Sequence, residues 1–190
     1  MSNIKGIIFD VDGLMFDTES LGIEACKYAM PIMGLNISDH ALISAIGLPR
    51  EEIQRILFED VGYEFDYIQF RKLRLKYIDD YVSKYGFPIK KGLYELLDYI
   101  DSIGLKKGVA TSNYRELISG YLKTANILDR FDAITAMEEE PRGKPFPDLH
   151  LNVSRKLGVL PAECMVLEDS FAGIKAAHAA RNAPGYDTRC

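Results

Sequence analysis

What this sequence lacks limits its class before any motif is read. Cysteine is scarce: Cys26, Cys164 and Cys190 are the only three in 190 residues. That is too few and too scattered for a disulfide framework or a zinc site, and it fits a reducing cytoplasm. His40, His150 and His178 stand apart with no ligand-like spacing, so they are read as structural. Long apolar runs are missing as well. Segments such as Ile7-Ile8-Phe9 fall far short of the ~18 residues that a membrane span needs. No basic region leads into an apolar stretch at the N-terminus. The expectation is a soluble, unexported, cytoplasmic protein with no membrane partner. Basic residues are not in excess either: 23 Lys plus Arg face 28 Asp plus Glu, for a net charge of −5. That balance opposes a binder of phosphate backbones, so no nucleic-acid partner is expected.

What is present describes an ordinary globular chain. Apolar residues make up 47% and charged residues 27%, enough to bury a real core and incompatible with whole-chain disorder. At about 150 residues per domain, the length allows one domain plus a modest insertion. Ile4 to Phe9 is a β-branched and aromatic run that stops at Asp10-Val11-Asp12-Gly13, which reads as a buried strand ending in a tight turn. From Thr18 to Tyr85 the pattern is helical, with Phe70, Leu73, Tyr77 and Tyr81 on one face. Breaks at Gly34, Gly47-Leu48-Pro49 and Gly62 divide this stretch into about four helices, with Pro49 suited to a first helical position.

Helix and strand alternate after Pro88. Leu93, Leu96, Leu97, Ile100 and Ile103 define an amphipathic helix, and Lys107 to Ala110 a strand. Asn113 with Glu116 resembles a capping box for the next helix. Phe131 to Thr135 reads as a third strand, Pro147 as the start of a helix through Leu149, Val153 and Leu157, and Cys164 to Leu167 as a fourth strand before an Ala-rich helix. This order predicts an α/β fold: a Rossmann-like parallel sheet core with an inserted all-helical cap, and ligands at the carboxyl ends of the strands. The boundaries are read as residues 1–14 with 87–190 for the core and 15–86 for the cap.

The chemistry-bearing residues fall at those strand ends. Asp10 and Asp12, two apart, face the same side if the chain stays extended, and such a pair suits a hard divalent cation and acid–base work. In isolation the same residues make an ordinary polar turn. An EF-hand is excluded because its glycine stands at the sixth loop position and here it is fourth. Thr111-Ser112-Asn113 can hold phosphate oxygens, or can simply cap a helix. Lys144 lies on a Gly/Pro-stiffened loop that could fix its ammonium against a phosphoryl oxygen, or could be a solvated lysine. Glu168-Asp169 can complete a magnesium site, or can be a surface turn.

Four such strand ends in this order are far more specific than any one of them, and here the sequence closely resembles the haloacid dehalogenase-like hydrolase superfamily. The resemblance is carried by Phe9 to Thr18, Val109 to Asn113, Gly143 to Asp148 and Val166 to Ser170. Its nearest branch contains sugar-phosphate phosphatases and β-phosphoglucomutases. The resemblance implies that Asp10 is a nucleophile forming an aspartyl-phosphate and that Asp12 is the general acid and base. It also implies Mg2+ held by Asp10, the Asp12 backbone carbonyl and Asp169, with Glu168 either a direct ligand or one step behind the ligands, and with Thr111, Ser112, Asn113 and Lys144 cradling the phosphoryl group. Asp17 and Thr18 would shape the hinge and substrate entrance, and Arg50 corresponds to a cap arginine that contacts substrate.

Within the family, Asp12 argues for phosphoryl chemistry, since dehalogenating relatives do not use a second aspartate there. Mutases of the branch carry a histidine soon after the first motif and a lysine before the cap glycine. Here those positions are Gly22 and Ile46, which tilts the reading to a phosphatase acting on a small phosphorylated substrate, by default a sugar phosphate. Bacterial receiver domains share the acidic pair, hydroxyl and lysine but have no helical insertion after the first strand. A third reading is a truncated relative of low or no activity that acts as a binding protein. It comes from residues 181–190, which are polar and broken by Pro184 and Gly185 where the family pattern continues into a further strand. The fourth strand is then expected to be an exposed edge, open to an oligomer.

Overall fold

Four short apolar runs become four parallel strands because each is followed by a helix that carries the chain back over the sheet. The computed structural model describes residues 4–46, 48 and 50–181. Strand β1 (Gly6–Phe9) lies between β2 (Lys106–Ala110) and β4 (Cys164–Leu167), and β3 (Ala133–Thr135) pairs with β2, giving the order β3-β2-β1-β4. Phe9 is level with both Val109 and Leu167, so Asp10, the segment after Ala110 and Glu168 leave the sheet side by side. The chain reverses its direction of sheet growth between β1 and β4, the place where α/β sheets bind ligands.

Two compact units result, one formed by the chain up to Phe16 together with the chain from Ile89, the other by Asp17–Pro88. In the sheet unit, helices α5 (Leu93–Ser102), α6 (Arg115–Thr124), α7 (Asp148–Leu157) and α8 (Phe171–Arg181) accompany the strands. Ile8, Ala110, Leu149, Val153 and Leu157 form part of its core. Gly108 allows α7 to approach β2, since a Cβ there would meet the Val153 side chain at 2.6 Å. In the helical unit, α1 (Thr18–Ile32), α2 (Asp39–Ser44), α3 (Arg50–Val61) and α4 (Tyr67–Tyr85) enclose Ala29, Leu42, Leu57 and Phe70. Ser38 and Asp66 cap α2 and α4 by accepting hydrogen bonds from the N–H groups of Ala41 and Gln69.

The local expectations needed three adjustments. Strand β3 begins at Ala133, because Leu128–Arg130 forms a short 3-10 turn that Phe131 terminates. Helix α7 begins at Asp148, with Pro147 one position before it. Asn113 does not cap α6, whose N-cap is Tyr114, because the Asn113 amide is engaged elsewhere. Among the described residues β4 is an edge strand, with Met165 47% exposed on it. The readings placed on Gly47, Pro49 and the chain after Arg181 lie outside the described residues. No helix among the described residues is long and apolar enough to cross a membrane.

Candidate active site

The end of β1 turns sharply. Gly13 adopts a positive φ of 78° and donates its N–H to the Phe16 carbonyl, while Met15 and Phe16 both bond back to the Val11 carbonyl. Val11, Met15 and Phe16 are fully buried and anchor this turn, which leaves Asp10 and Asp12 at the strand end. The Asp10 N–H is fixed by the Leu167 carbonyl of β4 at 3.0 Å.

Lys144 joins two of the carboxylates. Its Nζ donates to Asp10 Oδ1 at 2.5 Å and to Glu168 Oε2 at 2.6 Å, and the three side chains are only 6%, 9% and 3% exposed. One oxygen each from Asp10, Glu168 and Asp169 lies within 4.8 Å of the others. Asp12 stands beside this group: its Oδ2 accepts a hydrogen bond from Asn113 Nδ2 at 2.9 Å. Asn113 is in turn set by Thr111, a buried residue whose Oγ1 accepts the Asn113 N–H at 3.1 Å. Ser112 between them is exposed. The structure thus gathers Asp10, Asp12, Thr111, Asn113, Lys144, Glu168 and Asp169 from segments distant in sequence. Thr18 and Arg50 belong to the helical unit, where they open α1 and α3, and the Arg50 guanidinium lies 5.9 Å from the centre of the Tyr67 ring.

Charge in the cluster is unbalanced, with the one Lys144 ammonium among the four carboxylates of Asp10, Asp12, Glu168 and Asp169. Burial pushes the Asp10 carboxyl up to about 7, the charges of Glu168 and Asp12 push the same way, and Lys144 opposes them. Burial also raises Asp169, helped by the Glu168 and Asp12 charges. For Lys144, burial favours the neutral amine, but the Asp10 and Glu168 carboxylates outweigh it and raise the pKa. The Lys144 ammonium thus only partly offsets the burial that disfavours the Asp10 carboxylate. A divalent cation among Asp10, Glu168 and Asp169 would supply further positive charge, and an all-oxygen donor set is the kind that hard cations take. The residues fit a divalent metal.

The role of one residue and the surroundings of another, His150, which was read as structural, escaped the reading of the sequence. Ser170 fastens Glu168, donating its Oγ hydrogen to Oε1 at 2.6 Å and its N–H to the same oxygen at 3.2 Å. A serine immediately before an Ala-rich helix is the signal that could have found it. His150 is buried on α7, and neither ring nitrogen has a partner among the described residues. Only the tertiary packing reveals that environment.

Comparison with known proteins identifies the family. Hexitol phosphatase B of Escherichia coli is 30% identical over 179 residues, spanning 94% of this chain and 81% of that protein. The β-phosphoglucomutase of Bacillus subtilis is 29% identical over 181 residues, spanning 91% and 78%. A crystal structure of a HAD family hydrolase from Deinococcus radiodurans, with bound phosphate and sodium, matches with a TM-score of 0.81 at 21% identity, covering 95% of this chain and 79% of that one. That last likeness is one of fold. The model of the haloacid dehalogenase-like hydrolase family matches residues 7–182. The chain is therefore a member of that family, on the branch that holds phosphatases and β-phosphoglucomutases, and is a phosphoric monoester hydrolase.

Proposed function

We propose that this enzyme hydrolyses a small phosphomonoester, a sugar phosphate by default, in a Mg2+-dependent reaction through an aspartyl-phosphate on Asp10. The observation that carries the reading is the placement of Lys144 between Asp10 and Glu168, with Asp169 within reach of both. Asp10, Glu168, Asp169 and the Asp12 backbone carbonyl would hold the cation. Bound there, Mg2+ supplies the positive charge that offsets repulsion between a carboxylate and a phosphate dianion.

The chain's own groups divide the remaining work. An Asp10 carboxylate oxygen attacks phosphorus, the ester oxygen leaves, and Asp12 gives that oxygen its proton. Asp12 then takes a proton from the water that attacks the aspartyl-phosphate, releasing inorganic phosphate and restoring Asp10. The Asn113 amide holds the Asp12 carboxylate in place for both transfers. Lys144, Thr111, Ser112 and Asn113 offer donors to the phosphoryl oxygens, where preorganised charge lowers the barrier. The helical unit, Asp17–Pro88, serves as the cap, whose bounds read from the sequence are residues 15–86, with Thr18 and Arg50 selecting the substrate. The buried free thiols of Cys26 and Cys164 suit a cytoplasmic enzyme, and the β4 edge offers a place for a second copy to pair.

A second reading, mutase-type phosphoryl transfer, is favoured by the likeness to β-phosphoglucomutase and by Arg50. Gly22 and Ile46, where such mutases carry histidine and lysine, count against it. A set of phosphomonoesters assayed with Mg2+ and with chelator separates the two. Release of inorganic phosphate only with Mg2+ supports the hydrolase, whereas conversion of a sugar phosphate to its isomer supports the mutase.

A further inference from the structure

We infer that Gly173 is a positioning residue of the phosphoryl site, kept without a side chain so that the Glu168 carboxylate can pack on it and hold Lys144; the inference rests on the phosphatase reading above. Gly173 is buried in the first turn of α8, a place where alanine is the better helix former. The close approach accounts for glycine there. A Cβ built at Gly173 falls onto Glu168 Cδ and both carboxylate oxygens, far inside contact distance.

Glu168 has little freedom to move aside. Its Oε1 accepts from the Ser170 N–H and hydroxyl, and its Oε2 accepts from Lys144 at 2.6 Å. The Ser170 hydroxyl oxygen also accepts the Gly173 N–H at 3.0 Å, so the start of α8 and the carboxylate are one hydrogen-bonded unit. A methyl group at position 173 displaces the carboxylate, which releases Lys144 and disturbs the acidic group around Asp10. Gly120, inside α6, provides the contrast: a Cβ there meets nothing within 4 Å.

The test is a double-mutant cycle read by Mg2+ titration of thermal unfolding, with phosphomonoester turnover followed in parallel. Gly173→Ala is expected to raise the Mg2+ concentration for half-maximal stabilisation by about 10-fold or more, the range for residues that orient metal ligands. Glu168→Ala should do the same, and the double variant should be no worse than Glu168→Ala alone. Gly120→Ala should change neither readout. Wild-type Mg2+ response in Gly173→Ala, or a full additional loss in the double variant, overturns the inference. Should Gly173→Ala fail to fold, recovery of folding in the double variant supports the clash, and no recovery overturns it. A coupled Mg2+ cycle in a protein that hydrolyses no phosphomonoester overturns the phosphatase reading while leaving the role of Gly173 supported.

Discussion

Lys144 Nζ sits 2.5 Å from Asp10 Oδ1, and both side chains are sealed from solvent. A buried ammonium held this way neutralises part of a carboxylate cluster and also presents charge where a phosphoryl group would lie. Lys144→Met should therefore act on two properties. Turnover should fall by about 100-fold or more, the cost of removing one preorganised donor. Stability of the metal-free protein at pH 8 should fall by about 3 kcal/mol, because Asp10 and Glu168 lose their cation. Steady-state kinetics and urea unfolding check the two effects separately.

Asp12 and its amide partner Asn113 make a more selective prediction. Asp12→Ala should cost about 100- to 10,000-fold in kcat with a sugar phosphate, whose leaving alkoxide needs a proton. The loss should be much smaller for the first step with an aryl phosphate, whose leaving group is already stable. Asn113→Ala removes the 2.9 Å hydrogen bond to Asp12 and should show a weaker version of the same substrate dependence. Burst kinetics with both substrate types measure it.

Buried, unpartnered His150 predicts a pH effect on folding. Burial pushes its pKa down to about 4, the charge of Lys144 adds to that, and Glu168 opposes it. The unfolded histidine binds a proton as pH falls through 6.5 while the folded one resists until about 4, so the unfolded chain binds more protons across that window. The contribution of His150 is accordingly full above pH 6.5 and is lost towards pH 4, while Asp10, raised to about 7 in the folded state, acts in the opposite direction over the same range. His150→Leu should remove the histidine part of this dependence and, by removing unsatisfied ring nitrogens, stabilise the protein at pH 7.5 by about 1 kcal/mol. Denaturant unfolding at several pH values tests it, and an unchanged pH slope in the variant contradicts it.

Arg50 bears on the choice of substrate. Under the proposed cap role, Arg50→Ala should raise KM for a sugar phosphate by about 10-fold, the worth of one charged contact, with little change in kcat. KM for an aryl phosphate should hardly move. Equal effects on both substrates would remove Arg50 from substrate selection.

The legible part of the molecule was the part written locally. The apolar run before Asp10 and the one before Glu168 mark strand ends without any knowledge of their neighbours, and the alternation after Pro88 gives the parallel sheet. Asn113 shows where local reading stops. A polar residue three positions before Glu116 looks like a helix cap, but its amide is taken by Asp12, 101 residues away. Distance in sequence hides such a partner. Glu168 was legible as an acid at a strand end, whereas its fastening by Ser170 and its packing on Gly173 depend on how α8 returns to the sheet. The Tyr77 and Tyr81 face of α4 was visible as a periodicity. Its contact with Tyr28, whose ring centre lies 5.1 Å from that of Tyr77, required the pairing of α1 with α4.

The account depends most on Asp10 carrying the phosphoryl group, and trapping that adduct tests it directly. Acid quench of wild type during turnover of a phosphomonoester with Mg2+, followed by peptide mass spectrometry, should find phosphate on Asp10 and none after Asp10→Asn. A phosphorylated residue elsewhere, or undiminished turnover by Asp10→Asn, would contradict the mechanism.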